Sequence, residues 1–213
     1  MIKKKNKYLL DKRLKILNIA KKIIPKEGFN TKTFNIISKH SELDENETHL
    51  LFPKGYNDLI KFSLDQLNQD LENYCKNLEL VRLPLHKRIR KILLSKILLM
   101  NKQKQFYKKI YLSLLLPKKN LSVPKQIYKS IDQIWYIAGD TSTNFNFYTK
   151  RLILAGIYSR VILYFFNNDD QNALENILDS NLRRVSKIPE LKSKINIIKN
   201  NLPGIAKIIR NIN

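Results

Sequence analysis

At 213 residues the chain is long enough to bury a real core and fits one domain, or one domain with a small subdomain. With 43% hydrophobic residues, five glycines and few turn clusters, disorder and β-rich architectures are excluded in favour of an all-α globular fold. The net charge of +22 predicts attraction to something anionic, whether nucleic acid, an acidic protein face or lipid headgroups, although Lys, Ile and Asn are also what an AT-rich coding sequence supplies.

In chain order, Leu9, Leu10, Leu14, Leu17, Ile19 and Ala20 form a helical stripe ending near Pro25 and Gly28. Thr31 then caps a short helix through Ile37, and Ser41 or Asp44 caps a third through Leu51, so the first 53 residues read as a helix-turn-helix-like unit. After Pro53-Lys54-Gly55 a long helix runs from about Tyr56 to Leu80, and Pro84 opens another through Gln103. A helix from Phe106 to Leu116 stops at Pro117, and one from Pro124 carries Trp135 and stops at Gly139. The polar stretch GDTSTN follows, then an apolar helix to Phe166, a turn NNDD, and a helix from about Gln171 to Ser186. Residues 54–187 are expected to form one helical bundle, and residues 188–213 a separate tail helix that Pro189 starts.

Cys75 is the sole cysteine, which excludes an intrachain disulfide and a cysteine-based zinc site and suits a reducing compartment. The opening MIKKKNKYLLDKRLK has no apolar core, so it does not read as a signal peptide. The longest apolar stretch, Leu152 to Phe166, is broken by Arg160 and falls short of the roughly 20 residues a membrane span needs. A soluble or peripheral protein is therefore expected.

The segment KILNIAKKIIPKEGFNTKTFNIISKHSELDENETHLLFPKGYNDL resembles the DNA-binding module of TetR-type repressors, with Gly28, Phe29, Thr33, Ile36, Ile37, Phe52 and Leu59 at the matching places. A recognition helix lies among phosphates and needs basic or neutral donors. Here Glu42, Asp44, Glu45 and Glu47 occupy it, and no Lys or Arg occurs between Lys39 and Lys54. The expectation is an inherited fold with specific DNA binding lost.

In the polar stretch, Gly139 suits a helix C-terminus, and Asp140, Thr141, Ser142 or Asn144 can cap the next helix. Capping does not account for the Tyr148-Thr149-Lys150-Arg151 that follows. The run WYIAGDTSTNFNFYTKRLILAGIYS, with LLFPKGYNDLIKF upstream and ILDSNLRRVSKI downstream, resembles the ubiquinone-biosynthesis accessory family that is the ninth of the Coq series, from about Ile16 to Ile188. Asn144 departs from the family's usual Asp but caps helices about as well. The resemblance implies a TetR-like fold given over from DNA to isoprenoid lipid, non-enzymatic and homodimeric, assisting the demethoxyubiquinone hydroxylase at an anionic membrane. It places the protein in the cytoplasm at the inner face of a bacterial inner membrane, as on the matrix side in mitochondrial relatives.

Catalysis finds no support in the residues. A di-iron hydroxylase site needs Glu-x-x-His pairs on facing helices, and His40, His49 and His86 supply none; Glu45 and His49 read as a local pair. No Gly-rich phosphate loop or nucleophile elbow occurs, and no cofactor is expected. The resemblance implies an apolar cavity for lipid, with Leu94, Ile97, Leu98, Leu115, Trp135, Leu154, Ile157 and Val161 as its candidate lining, a pattern that by itself more often describes ordinary core or a dimer seam. The helix from Phe145 to Phe166 is apolar almost all round and is expected to be covered on every side. Small Ala155, Gly156 and Ser159 would permit close approach of a second copy. Phe147, Tyr148 and Arg151 are candidates for contact with the hydroxylase, with burial the alternative. In the tail, Leu191, Ile195, Ile198, Leu202, Ile205, Ile209 and Ile212 make one apolar stripe, and Ile205, Lys207, Ile208, Ile209, Arg210 and Ile212 are the candidate membrane contacts. A repressor with an apolar ligand and a lipid-free adaptor are the competing readings.

Overall fold

The structure, a computed structural model, describes residues 2–115 and 122–186. Every regular element among them is a helix: α1 (Ile2–Glu27), α2 (Thr31–His40), α3 (Glu45–Leu51), α4 (Tyr56–Lys76), α5 (Leu85–Asn101), α6 (Lys104–Leu115), α7 (Ser122–Ile137), α8 (Asn144–Asn167) and α9 (Gln171–Ser186). The expected tail helix and its membrane candidates, Ile205, Lys207, Ile208, Ile209, Arg210 and Ile212, lie outside the described residues. The chain separates into two compact units, residues 1–169 with α1 to α8, and residues 170–213 with α9.

Local chemistry sets the ends. Pro25 sits in the last turn of α1, and Gly28, at φ +75°, takes the left-handed conformation while its N–H reaches the Ile24 carbonyl at 2.8 Å. The cap of α2 is Asn30, not the expected Thr31: its Oδ1 accepts the Thr33 N–H at 2.8 Å, leaving Thr31 as the first helical residue. In the second unit, Asp170 Oδ1 accepts the Ala173 N–H at 2.9 Å and so caps α9.

In the first unit Ile16, Leu17, Ala20 and Ile24 bury one stripe of α1, and α1 packs on α2 and α6. Phe52, wholly buried after α3, meets Phe34 and Phe62 edge to face at 6.2 and 5.9 Å, while the Arg13 guanidinium covers Phe62 at 4.4 Å. Behind this unit α4 packs on α5 and α7, and α7 on α8. Within the single chain helix α8 keeps one face open: Tyr148, Leu152 and Leu163 are 68%, 76% and 52% exposed and share that face with Gly156 and Ser159.

Candidate functional site

The polar stretch between α7 and α8 is an ionic latch. Helix α7 ends in a Schellman turn: Gly139, at φ +76°, donates to the Tyr136 carbonyl and Asp140 donates to the Trp135 carbonyl, both at 3.0 Å. A side chain at Gly139 would also press on Arg88, whose Nη1 would lie 3.3 Å from the added Cβ. That guanidinium joins two backbone segments through three carbonyls, those of Val81 and Leu83 at 2.8 and 2.7 Å and that of Ala138 at 3.0 Å.

Asp140 then turns its carboxylate inward, with the side chain only 3% exposed. Its Oδ2 accepts from Ser142 Oγ at 2.6 Å, and its Oδ1 accepts from Lys150 Nζ at 2.7 Å. Burial pushes the pKa of this carboxyl up, but the Lys150 and Ser142 hydrogen bonds and the Lys150 charge outweigh it and hold the group below its ordinary value. Arg151 completes the latch: its guanidinium lies 3.5 Å from Asp140 Oδ2 and 2.7 Å from Asp132 Oδ1 on α7, and it stacks on the Phe147 ring. One α8 turn thus fastens to the end of α7 through two cations and two carboxylates.

This geometry sorts the candidate partner residues. Tyr148 stands out from the surface and Phe147 is half-buried against it, rings 5.2 Å apart. Arg151 is buried, and its charge is taken up by Asp132 and Asp140 rather than offered to a partner. Trp135 is buried beneath Lys150, whose Nζ lies 5.5 Å from the ring, and its indole N–H has no hydrogen-bond partner among the described groups.

An apolar cavity of about 100 Å³ opens between α6, α7 and α8. Tyr111 and Leu112 form its α6 wall, Ile127 its α7 wall, and Tyr158, Ile162 and Phe166 its α8 wall; Lys108 and Asn167 meet at its edge at 3.2 Å. The hydroxyls of Tyr111 and Tyr158 hydrogen-bond to each other. Burial raises both phenol pKa values, that of Tyr111 to about 12, so both stay neutral donors. Of the seven lipid candidates whose side chains are described, none lines this cavity. Ile97, Trp135, Leu154, Ile157 and Val161 are buried core, Leu94 is partly buried, Leu98 is 51% exposed, and the side chain of Leu115 lies outside the described part. The pairing of positions four apart on both α6 and α8 was the available signal.

Against the ring of Tyr158 lies Lys96, wholly buried, its Nζ 5.4 Å from the ring centre and 2.8 Å from Asn68 Oδ1. Desolvation lowers its pKa to about 7. No composition or periodicity argument picks out this lysine, because lysines on a helix are ordinarily at the surface.

In the N-terminal unit the acidic residues around α3 turn back on their own fold. Glu47 pairs with Lys12 and Glu42 with Lys15 at 2.9 Å, both on α1. Glu42 adopts φ +58°, a left-handed backbone uncommon outside glycine. No group of three or more His, Cys, Asp or Glu placed to hold a metal occurs among the described residues, and no described helix is long and apolar enough to cross a membrane.

The fold is that of TetR-type regulators: a TetR transcriptional regulator from Nitrosomonas europaea superposes with a TM-score of 0.65, over 82% of this chain and 97% of that one, at 13% identity. Within that fold, residues 122–189, which contain α7, the latch, α8 and α9, match the COQ9 family model. Similar curated proteins are the mitochondrial ubiquinone biosynthesis proteins COQ9 of Rattus norvegicus, 31% identical over 108 residues, and of Bos taurus, 32% identical over 88 residues. Those stretches are 47% and 38% of this chain, and 35% and 28% of the relatives. The human COQ9 is 30% identical over 105 residues, 46% of this chain and 33% of that protein. The chain thus spans about a third of the length of the curated relatives it matches.

Proposed function

We propose that this protein is a non-enzymatic accessory factor of ubiquinone biosynthesis that binds an isoprenoid quinone intermediate and presents it to the demethoxyubiquinone hydroxylase at an anionic membrane surface. The observation that carries the reading is the match of residues 122–189, which include the latch, to the COQ9 family, in proteins named for ubiquinone biosynthesis. The apolar cavity supports it, with a limit of scale: about 100 Å³ holds one isoprenoid unit or one small ring, whereas drug-sized ligands fill roughly 300–1,000 Å³. A long tail must therefore emerge along the open face of α8, where Leu163 and Leu112 flank the mouth half-exposed. That face, continuing through Ser159, Gly156 and Leu152, also suits a second copy of the chain, and the two uses are compatible if the dimer roofs the lipid. The tail, with Ile205 and Ile209 in its apolar stripe, would hold the protein to the inner leaflet.

The repressor reading has one observation behind it, the TetR-type fold. Against it, the helix that would enter the major groove and the turn before it carry carboxylates paired to α1 instead of cations for phosphate. The deciding experiment is native mass spectrometry of the protein purified from a ubiquinone-making host, with extraction of any apolar molecule. A co-purifying polyprenyl quinone or precursor is expected. An empty protein that also takes up no added quinone would leave a lipid-free adaptor.

A further inference from the structure

We propose that the hydroxyl pair of Tyr111 and Tyr158 is a polar anchor for a ring carbonyl of the ligand, so that the carbonyl edge of a six-membered ring enters the cavity first and the tail leaves by the mouth. This rests on the quinone reading above and adds which end of the molecule is held, and by which groups. The argument begins with a count of protons. Two phenols carry two O–H protons, and only one of them can lie between the two oxygens. The other has no acceptor among the described groups, and a donor left unmet in a buried place is costly. A ligand oxygen that accepts it would complete the pair.

The rest of the lining specifies what that oxygen is attached to. Apart from the tyrosines the cavity is apolar inside, since Lys108 and Asn167 bond each other at the edge and Ser159 is exposed on the open face. A carboxylate or phosphate would lose its water there with two neutral hydroxyls for company, so a neutral carbonyl fits and an anion does not. The walls are also aromatic: Tyr111 lies 5.3 Å from Phe166 and 6.3 Å from Tyr158, centre to centre. A flat ring finds ring partners there that a branched isoprenoid unit does not, and about 100 Å³ leaves no room for a tail beside it. An isoprenoid tail in the same place would leave the spare proton unmet. Tyr158 is buried against Lys96, whose Nζ lies 5.4 Å from its ring, so its hydroxyl is in position before any ligand arrives.

The test uses the full chain and two probes that differ only in the carbonyls: tetramethyl-1,4-benzoquinone, whose full substitution keeps it from alkylating Cys75 or lysines, and 1,2,4,5-tetramethylbenzene. Equilibrium dialysis gives their dissociation constants for the parent, Tyr111→Phe, Tyr158→Phe and the double variant. Either hydroxyl alone still has a free proton, so each single variant should hold the quinone within about threefold of the parent. The double variant should weaken the quinone about fivefold to tenfold, the worth of one net hydrogen bond. It should bind the tetramethylbenzene at least as well as the parent does, which also shows that the cavity is intact. Quinone affinity unchanged in the double variant overturns the proposal. So does an equal loss of both probes, which would make the tyrosines packing groups, and so does a parent that does not bind the tetramethyl quinone. A ubiquinone with two isoprene units separates this inference from the reading beneath it. Equal binding to parent and double variant overturns the ring-inward seat and leaves a quinone-binding protein, whereas no uptake by the parent overturns both.

Discussion

Lys96 is the residue at which the fold works against itself. An ammonium group with no solvent, held by one amide oxygen and facing a tyrosine ring, is disfavoured, and its folded pKa of about 7 lies below the 10.5 of an ordinary lysine. The unfolded chain therefore binds more protons between pH 7 and 10.5, so stability should rise with pH through that window, and the penalty should be complete below pH 7. Replacing the lysine by a methionine of similar length removes the charge while keeping the volume. Lys96→Met should raise the melting temperature at pH 6, by an amount of the order of a few kcal/mol in stability, and the gain should shrink toward zero at pH 10. Thermal melts at both pH values check this. Asp140 is the opposite case. Its carboxylate holds Lys150, Ser142 and Arg151 with almost no exposure, so Asp140→Ala should cost about 2–4 kcal/mol, read from denaturant midpoints. Its depressed pKa means that this contribution is present above the ordinary carboxylate range and fades as pH falls through the folded value. The sequence offered Asp140 as one of four possible caps of α8, but Thr143 holds that position and none of the four caps the helix. The pairing of Asp140 with Lys150 and Arg151 was not legible, because which α8 side chains turn inward depends on how α8 crosses α7.

Among the elements, α8 is the one whose sequence and surroundings disagree. Its apolar character all round predicts a fully enclosed helix, yet one face stays open in the single chain through Tyr148, Leu152, Gly156, Ser159 and Leu163. A face of small and apolar residues on a long helix is what a second copy would cover. Leu152→Lys with Leu163→Lys should therefore give a monomer by light scattering after size exclusion, with the fold intact because both residues are exposed. Tyr148→Ala lies at the end of the same face. With 68% of the residue exposed it should leave the melting temperature within about 1 kcal/mol of the parent while weakening capture of the hydroxylase. Helix order and most ends were legible, since prolines and glycines punctuate the chain. The cavity was not, because one face each of α6, α7 and α8 must be brought together before it exists, and no single helix carries its signature.

For the whole molecule, the charge of +22 and the TetR-type fold together invite a DNA-binding reading that the distribution of charge resists. Duplex DNA should be retained at low salt without sequence preference, and the retention should collapse steeply as salt rises, as measured by competition between unrelated duplexes at several ionic strengths. A tight complex with one sequence that survives at physiological salt would restore the repressor. What the sequence made plain at this scale was the TetR-like architecture and the acidic turn within it. What it could not convey was that a cation had been sealed inside, beside the tyrosine that walls the cavity. That buried amine makes the protein its own clock. Amine-reactive reagents modify surface lysines at once but reach Lys96 only when the bundle parts, and with a pKa near 7 its nitrogen is already substantially unprotonated at neutral pH. The rate at which Lys96 becomes labelled, followed peptide by peptide in a mass spectrometer, would time the opening of the interior, and slower labelling in the presence of a quinone would show which ligands keep it shut.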